Sequence, residues 1–333
     1  MKFTNNLQHI GLLIFLSLSG QAALAINTDR LDVKQFIDSM VLQHAYDRKI
    51  LVSVLREART QTTILKAIST PAEKTKSWHE YRAIFLTNKR IKAGADFWRT
   101  HKSELERISN KTSVPCEILV GIIGVETYFG KNTGGYRVLD ALSTLAFDYP
   151  PRASFFRREL EEFLLLVRKE NIEASEATGS YAGAMGLPQF MPSSFRAYAV
   201  DSNADGKRNI WTDWTDAIGS IANYFVAHGW QESGEVVTPA ILGTKWQGHP
   251  PGNILTPTET VSSLSRQGVM FATNLPNEHK SQLLTLQGAN GDEHWVGFHN
   301  FFVITRYNHS VMYALAVHQL GQEIAIEVSR REP

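Results

Sequence analysis

One carboxyl group in this sequence lies in an apolar setting that could make it a general acid. The stretch GIIGVETYFG (121–130) carries Glu126 within an otherwise apolar run. Leu119, Ile122, Ile123 and Glu126 are spaced i, i+3, i+4 and i+7, so they share one face of a helix. Burial disfavours the charged form of a carboxyl group, and a protonated Glu126 is what general acid catalysis requires. A structural glutamate paired with an arginine is the alternative.

The helix that would carry Glu126 has a start signal and a stop signal. Ser113 and Pro115 predict the start, because proline in a first turn loses no intrahelical hydrogen bond. Gly130 predicts the end. Gly121 and Gly124 weaken such a helix unless another backbone packs close against it.

A second segment, GSYAGAMGLPQFMPSSF (179–195), is rich in small residues and ends in aromatic ones. A chain of small residues can run close to a ligand, and the amide of Gln189 can both donate and accept hydrogen bonds. The aromatic side chains that could offer flat faces to sugars are Tyr181, Phe190, Phe195, Tyr198 and Tyr224. The alternative is a helix-packing segment with a core aromatic cluster.

The stretch DSNADG (201–206) resembles the opening of a calcium-binding EF-hand loop. Loop positions 1, 3, 5, 6 and 7 are Asp201, Asn203, Asp205, Gly206 and Lys207, the last offering its carbonyl. Position 12 is Thr212, where an ordinary EF-hand has a bidentate glutamate. Three oxygen-bearing side chains so close together would repel one another, so we expect a stabilising Ca²⁺ rather than a metal-free turn.

Composition narrows the class of protein. The 34 Lys and Arg residues nearly cancel the 33 Asp and Glu residues, which argues against nucleic acid as the main partner. Cys116 is the only cysteine, so no intramolecular disulfide can form, and we expect a buried structural thiol. Scattered histidines and the lack of a phosphate-binding glycine pattern give no indication of zinc chemistry or of an organic cofactor.

The first 25 residues have the pattern of a secretory signal peptide. Lys2 precedes the apolar run 10–20, and Ala23-Leu24-Ala25 supplies a small-residue cleavage site. A retained membrane anchor is the alternative, but the apolar run is shorter than the ~20 residues that span a bilayer. No cysteine follows the run, so we expect an exported, periplasmic protein that is not a lipoprotein.

The remainder of the chain predicts a mainly α fold. Residues 26–110 have helical periodicity, and within them 78–108 are expected to form a long solvent-faced amphipathic helix. Residues 236–298 are broken by prolines and rich in Val, Thr and aromatics, which predicts a small β-rich subdomain. The run FFVITRYN (301–308) is expected to be a strand or an extended segment. Helical spacing returns in 310–328.

Six motifs in this order resemble the lytic murein transglycosylase B family of bacterial cell-wall enzymes. They span about 114–310 and read VPCEILVGIIGVETYFG, VLDALSTLAFDYPPRASFFRREL, GSYAGAMGLPQFMPSSF, AVDSNADGKRNIW, DAIGSIANYFVAHGW and ITRYNHS. The resemblance implies a lysozyme-like catalytic core over 111–235, with the EF-hand-like loop 201–216 inside it. Residues 299–333 would return to that core.

The resemblance also implies a reaction. The glycan strand of peptidoglycan would be cut between N-acetylmuramic acid and N-acetylglucosamine without water. Glu126 would act first as acid and then as base, while the muramoyl C6 hydroxyl closes on C1 to leave a 1,6-anhydro end. Substrate-assisted glycosidases can dispense with a second carboxylate, and the 2-acetamido group, oriented by Asn308, would take its place. Asp148 and Glu159 are the other candidate acids, and we expect solvated or ion-paired surface roles for both.

Matching the family residue by residue implies the rest of the site. The residues expected to line the glycan groove are Ser180, Gln189, Tyr224, Tyr307, Asn308 and Tyr313. Arg152 is expected to meet the peptide or muramoyl portion, and Pro151 stands where the family often has a second arginine. Asp216 best matches the acid that closes the metal loop, with Asp213 as the alternative.

Two other functions remain open from the sequence. A hydrolytic muramidase would use water in place of the muramoyl hydroxyl, and a calcium-dependent peptidoglycan-binding protein would show no turnover. Under the favoured interpretation the partners are peptidoglycan glycan strands, and cell-wall remodelling proteins could join them.

Overall fold

The structure, a computed structural model, describes residues 24–69, 76–246, 248 and 254–330. The predicted signal peptide lies outside these residues except for Leu24 and Ala25. The helices before the middle of the chain are α1 (Leu31–His44), α2 (Arg48–Glu57), α3 (Thr62–Ile68), α4 (Trp78–Phe85), α5 (Asn88–Thr100), α6 (Lys102–Thr112), α7 (Cys116–Thr127), α8 (Val138–Asp148) and α9 (Ala153–Glu170). Those that follow are α10 (Pro192–Tyr198), α11 (Trp214–Ala227), α12 (Val261–Arg266), α13 (His299–Tyr307) and α14 (Val311–Ser329).

The helices share two apolar cores. Helices α4 to α7 pack with α11, α13 and α14, whereas α1 to α3 pack with α8 and α9. The N-terminal region 26–110 therefore divides between both cores. Among the described residues, no helix combines the length and apolar character needed to cross a membrane.

Helices α7 and α14 meet at unusually short range. A Cβ atom on Gly121 would lie 2.5 Å from the carbonyl oxygen of Val317, and one on Gly321 would lie 2.1 Å from that of Glu117. Real Cβ atoms do not approach backbone so closely, so these positions require glycine. The expectation that Gly121 needs a closely packed backbone partner is confirmed.

The strands form one larger antiparallel sheet and one short pair. The pair joins β1 (Tyr136–Arg137) to β2 (Thr178–Gly179), next to the small-residue segment. The sheet has the order β4 (Glu259–Thr260), β6 (Lys280–Gly288), β7 (Gly291–Gly297), β3 (Val237–Leu242) and β5 (Val269–Phe271). The predicted combination of mainly helical structure with a small β-rich part is confirmed, while the domain boundaries remain a prediction.

Two local predictions are wrong. Residues 301–308 lie mostly in helix α13, whose residues Phe301–Thr305 are all buried. A helix buried on every side shows a continuous apolar run, which cannot be distinguished from a buried strand by periodicity. Residues 78–108 form α4, α5 and most of α6 rather than one solvent-faced helix, and Trp78 is only 1% exposed.

Helix α7 begins where expected and ends early. Pro115 is its N-cap, so the predicted start holds. The helix ends at Thr127, because Tyr128, Phe129 and Gly130 have φ values of 51°, 57° and 79°. The predicted stop at Gly130 is therefore the last residue of a left-handed turn rather than the helix end.

Candidate active site

Glu126 is the penultimate residue of α7 and is partly buried. The hydroxyl of Tyr313 donates a hydrogen bond to its Oε1 atom across 2.5 Å. Tyr313 lies in the first turn of α14, where its N–H is capped by Ser310 Oγ at 3.2 Å. Because α7 and α14 pack through glycines, the acid and its donor are held by two closely fitted helices.

Two tyrosines near Glu126 are kept protonated by their surroundings. Burial, followed by the charge of Glu126, raises the pKa of Tyr313 well above its ordinary value. The same two causes, in the same order, raise the pKa of Tyr307. Both phenols therefore remain hydrogen-bond donors at neutral pH, with Tyr307 donating to the carbonyl of Pro188 at 2.6 Å.

An aromatic group stands beside this pair. Tyr224 and Tyr307 have ring centroids 4.9 Å apart, and Phe190 lies 5.8 Å from each of them. The hydroxyl of Tyr224 donates to the carbonyl of Arg306 at 2.6 Å, and burial raises its pKa. Phe195 is 0% exposed and packs against Trp211, so its expected contact with sugar is wrong.

The small-residue segment folds back on itself. Ser180 Oγ accepts hydrogen bonds from the N–H groups of Ala182 and Ala184, at 3.2 and 3.1 Å. Gln189, with φ at 53°, donates through Nε2 to the carbonyls of Thr133 and Gly186. The amide nitrogen of Gln189 is thus used to tie the segment together, while its Oε1 atom takes part in neither bond.

A cavity of about 260 Å³ brings three expected groove residues together: Gln189, Tyr224 and Tyr307. Phe155 lines it as well, and the guanidinium of Arg152 lies 4.3 Å from the Phe155 ring. Arg152 is exposed, so it lies near this cavity at the protein surface. Asn308 follows Tyr307 directly as the C-cap residue of α13.

The other candidate acids are engaged in structural contacts. Asp148 accepts from the Arg30 guanidinium at 2.6 Å, in agreement with the expected ion pair. Glu159 is 6% exposed, so its expected surface role is wrong. Its carboxylate accepts from Ser193 N at 3.0 Å and Ser193 Oγ at 2.7 Å, at the first turn of α10. Burial raises the pKa of Glu159, although the bonds from Ser193 oppose the rise.

The acidic loop gathers three carboxylates. Asp201, Asp205 and Asp216 each offer an oxygen, and these oxygens lie within 4.8 Å of one another. Asp216 is 0% exposed and accepts from the N–H groups of Ser202 and Asn209. Gly206, with φ at 88°, makes the turn that an EF-hand needs at its sixth position.

Asp213 has a different role from Asp216. Its Oδ1 atom caps α11 by accepting from Thr215 N at 2.8 Å, and its Oδ2 atom accepts from Asn203 Nδ2. Of the two candidates, Asp216 is therefore the one that shares a site with Asp201 and Asp205. Burial raises the pKa of Asp216, and a hard cation beside an all-oxygen donor set would offset that penalty. The chemistry of these donors fits Ca²⁺.

Several polar partners in the site had no sequence signal. The carbonyls of Thr133, Pro188 and Arg306 orient Gln189 and two tyrosines, but every residue has a carbonyl. Which three carbonyls accept these hydrogen bonds is determined by the tertiary structure and is not visible in the sequence. Cys116 is partly buried, and burial raises the pKa of its thiol, which does not favour nucleophilic chemistry.

Comparisons with known proteins identify the family to which this chain belongs. Residues 28–322 match the family described as the transglycosylase SLT domain. The chain is 42% identical over 306 residues to the membrane-bound lytic murein transglycosylase B of Escherichia coli, covering 89% of this chain and 83% of that protein.

Among the solved structures that share the fold are two of lytic transglycosylases. The catenated lytic transglycosylase SltB1 from Pseudomonas aeruginosa is 49% identical, with a TM-score of 0.85 over 90% of this chain and 98% of that one. The Escherichia coli lytic transglycosylase Slt35 in complex with calcium is 41% identical, with a TM-score of 0.83 over 92% of this chain and 97% of that one. The lysozyme-like fold class is thereby confirmed. The chain belongs to the transglycosylase SLT family and is a lytic murein transglycosylase, which cleaves peptidoglycan without water.

Proposed function

We propose that Glu126 is the single acid and base of this reaction. It would donate its proton to the glycosidic oxygen that leaves with N-acetylglucosamine, and then accept the proton of the muramoyl C6 hydroxyl as that oxygen closes on C1. The bond from C1 to the leaving oxygen breaks, the bond from C1 to O6 forms, and Glu126 ends as it began. The hydrogen bond from Tyr313 to Glu126 Oε1, 2.5 Å long, is the observation that carries this proposal.

Tyr313 supports the two-stage role of the carboxyl group. A phenol whose pKa is raised well above the ordinary value stays a donor throughout the cycle. Its hydrogen bond strengthens when Glu126 becomes a carboxylate after the first step, since charge-assisted bonds are the stronger ones. Tyr313 therefore orients the acid and stabilises the conjugate base.

The absence of a second acid in the mechanism is supported by what the other candidates do. Asp148 is paired with Arg30, and Glu159 is bonded to Ser193. Neither is needed if the substrate's own 2-acetamido group supports the oxocarbenium-like centre, as in substrate-assisted glycosidases. We assign Asn308 to the orientation of that group.

The glycan would lie along the residues that surround Glu126. Tyr224 and Tyr307 line the cavity, Gln189 offers its Oε1 atom, and Ser180 lies in the small-residue segment. Arg152 would meet the lactyl or peptide portion of the substrate. Pro151, in place of a second arginine, leaves one cation fewer at this end of the groove.

We further propose that the acidic loop binds a structural Ca²⁺. The ligands would be Asp201, Asn203, Asp205, the Lys207 carbonyl and Asp216. An ion there would tie the loop to the start of α11 and supply no step of the reaction. The calcium complex of Slt35, which is 41% identical, supports the choice of metal.

The location follows from the first 25 residues and stays a proposal. A cleaved signal peptide would release the enzyme into the periplasm, where its substrate lies. We propose that the protein is not a lipoprotein, because no cysteine follows the apolar run.

Product masses test the proposed reaction. Purified sacculi digested with the enzyme should release fragments that end in 1,6-anhydromuramic acid, each lighter by one water than the hydrolytic product. Fragments with reducing muramic acid ends would instead establish a muramidase. Binding to sacculi without any release would establish a binding protein, and either result would refute the proposed cycle at Glu126.

A further inference from the structure

The turn that follows the proposed catalytic acid has an unfavourable backbone conformation. Tyr128, Phe129 and Gly130 are consecutive left-handed residues, and the first two are not glycine. Side chains make this conformation unfavourable, so it persists only where surrounding contacts enforce it. Residues held in this way cluster at functional sites, and this turn begins two residues after Glu126.

One part of the turn is held by ordinary packing. The Phe129 ring stacks on Phe97 with centroids 5.5 Å apart, and Thr127 Oγ1 accepts from Gly130 N at 3.0 Å. The Thr127 carbonyl accepts from Asn132 N at 2.9 Å. These contacts fix the end of the turn, and the Phe129 ring also lies 5.9 Å from the ring of Tyr128.

The Tyr128 ring is held by cations. The guanidinium carbon of Arg90, on α5, lies 4.8 Å from the centroid of this ring and 5.0 Å from that of Phe85. The ammonium of Lys131 also lies 4.8 Å from the Tyr128 centroid. Cations over aromatic faces at these distances are attracted by the ring quadrupole, more strongly where water is excluded.

Arg90 also reaches the backbone of α7. Its Nη1 atom donates to the carbonyl of Gly124 at 3.4 Å, near the negative end of the helix dipole. Burial lowers the pKa of Arg90, and within the described part of the chain it forms no salt bridge with a carboxylate. A half-buried cation without a counter-charge is costly, and here aromatic faces and a helix carbonyl stabilise it.

We infer that Arg90 is a positioning residue for Glu126. It donates a hydrogen bond to the carbonyl of Gly124, two residues before the acid, and makes a cation–π contact with Tyr128, two residues after it. It thereby fixes the last turn of α7 from helix α5. The inference rests on the proposed catalytic role of Glu126.

The test compares Arg90→Met and Arg90→Lys with a matched control, Arg99→Met. Arg99 lies on the same helix and also donates to a carbonyl at a helix end, that of Glu327 at 3.1 Å. Arg90→Met should lower kcat by ~10- to ~100-fold with KM unchanged, because a displaced acid loses its near-attack geometry. Arg90→Lys should recover part of kcat through the retained cation–π contact. Arg99→Met should keep the wild-type kcat even where its melting temperature falls.

Three results would overturn the inference. The first is a wild-type kcat in Arg90→Met below its melting temperature. The second is a raised KM with kcat retained, which would make Arg90 a substrate contact. The third is a loss of kcat in Arg99→Met equal to that in Arg90→Met.

Further variants separate this inference from the proposed function. If Arg90→Met does not fold, Tyr128→Leu removes the same contact from the other side and should give the same loss of kcat. Wild-type kcat in Tyr128→Leu would also overturn the inference. Glu126→Gln serves as the reference: activity in that variant refutes the catalytic assignment itself, whereas an inactive Glu126→Gln beside a fully active Arg90→Met refutes the positioning role alone.

Discussion

The molecule contains two acidic regions that are organised in opposite ways. At the end of α7, the carboxyl group of Glu126 accepts a hydrogen bond from the hydroxyl of Tyr313. The two helices that carry these residues pack backbone to backbone at Gly121 and Gly321. In the loop 201–216, three carboxylates lie within 4.8 Å of one another, and backbone N–H groups donate to them. The first region is held by close helix packing and by hydrogen bonds, with no cluster of like charges. The second concentrates negative charge that a cation would balance, so catalysis and metal-dependent stability should be separable.

Replacing Glu126 by Gln should abolish catalysis at the end of α7 and leave the stability of the loop 201–216 unchanged. The amide keeps the size of the side chain but can neither donate nor accept the catalytic proton, so kcat should fall by at least ~10³-fold. Release of soluble fragments from sacculi measures this loss. The melting temperature and its response to chelator should match those of the wild type. Retained cleavage would exclude Glu126 as the acid and base.

Replacing Gly321 by Ala should break the packing that positions the acid. The new Cβ would lie 2.1 Å from the Glu117 carbonyl oxygen, so α14 must move away from α7. We expect a loss of about 3 kcal/mol in the free energy of unfolding, together with reduced kcat. Urea denaturation measures the first effect.

Gly135→Ala is the matched control for this packing prediction. A Cβ at Gly135 would meet nothing within 4 Å, and its change in the free energy of unfolding should stay within about 0.5 kcal/mol. Equal stability for the two variants would show that the close approach of the helices does not matter.

Removal of the metal should lower the stability conferred by the loop 201–216 and leave the catalytic rate unchanged. Ion binding at a hundred times the dissociation constant stabilises the folded state by about 2.7 kcal/mol, and EDTA should remove that contribution. The melting temperature should fall on chelation, whereas kcat measured well below it should hardly change. Asp216→Asn should abolish the response to EDTA, and Asp292→Asn, at an exposed site on β7, should retain it. If EDTA leaves the melting temperature of the wild-type protein unchanged, the proposed metal site is refuted.

Local sequence patterns located both regions but not the contacts within them. Helical spacing predicted the face of Glu126, and the acidic loop was readable from spacing within 201–206. The partner of Glu126 is different: Tyr313 lies 187 residues away, and only the resemblance to a family indicated it. Pairings over such distances are set by tertiary packing, which periodicity does not encode.

The errors have a common physical cause. The apolar run of helix α13 predicts a strand, because both faces of that helix are buried and periodicity is lost. The residue type of Glu159 predicts a surface position, because buried acids are rare. Ser193 supplies the two hydrogen bonds that make burial of Glu159 tolerable. In both cases tertiary contacts determine the observed structure, and the local sequence pattern does not contain them.

The smallest expected effect is on acid stability, and it comes from the helix that also carries Tyr313. His318, on α14, is mostly buried, and burial lowers its pKa from 6.5 to about 4. Its Nδ1 atom has no hydrogen-bond partner among the described residues. Because the folded state resists protonation, the stability contributed by neutral His318 is fully present above pH 6.5 and is lost as the pH falls toward 4.

His318→Met should therefore reduce the loss in the free energy of unfolding as the pH falls. The linkage contribution lost by the wild type between neutral pH and pH 5 is about 2 kcal/mol, and the variant should lack that loss. Urea denaturation at pH 5 and pH 8 measures the difference. The exposed His79, replaced by Met, should leave the wild-type pH dependence intact. Equal pH dependence in His318→Met and wild type would mean that the acid lability of the fold originates outside His318.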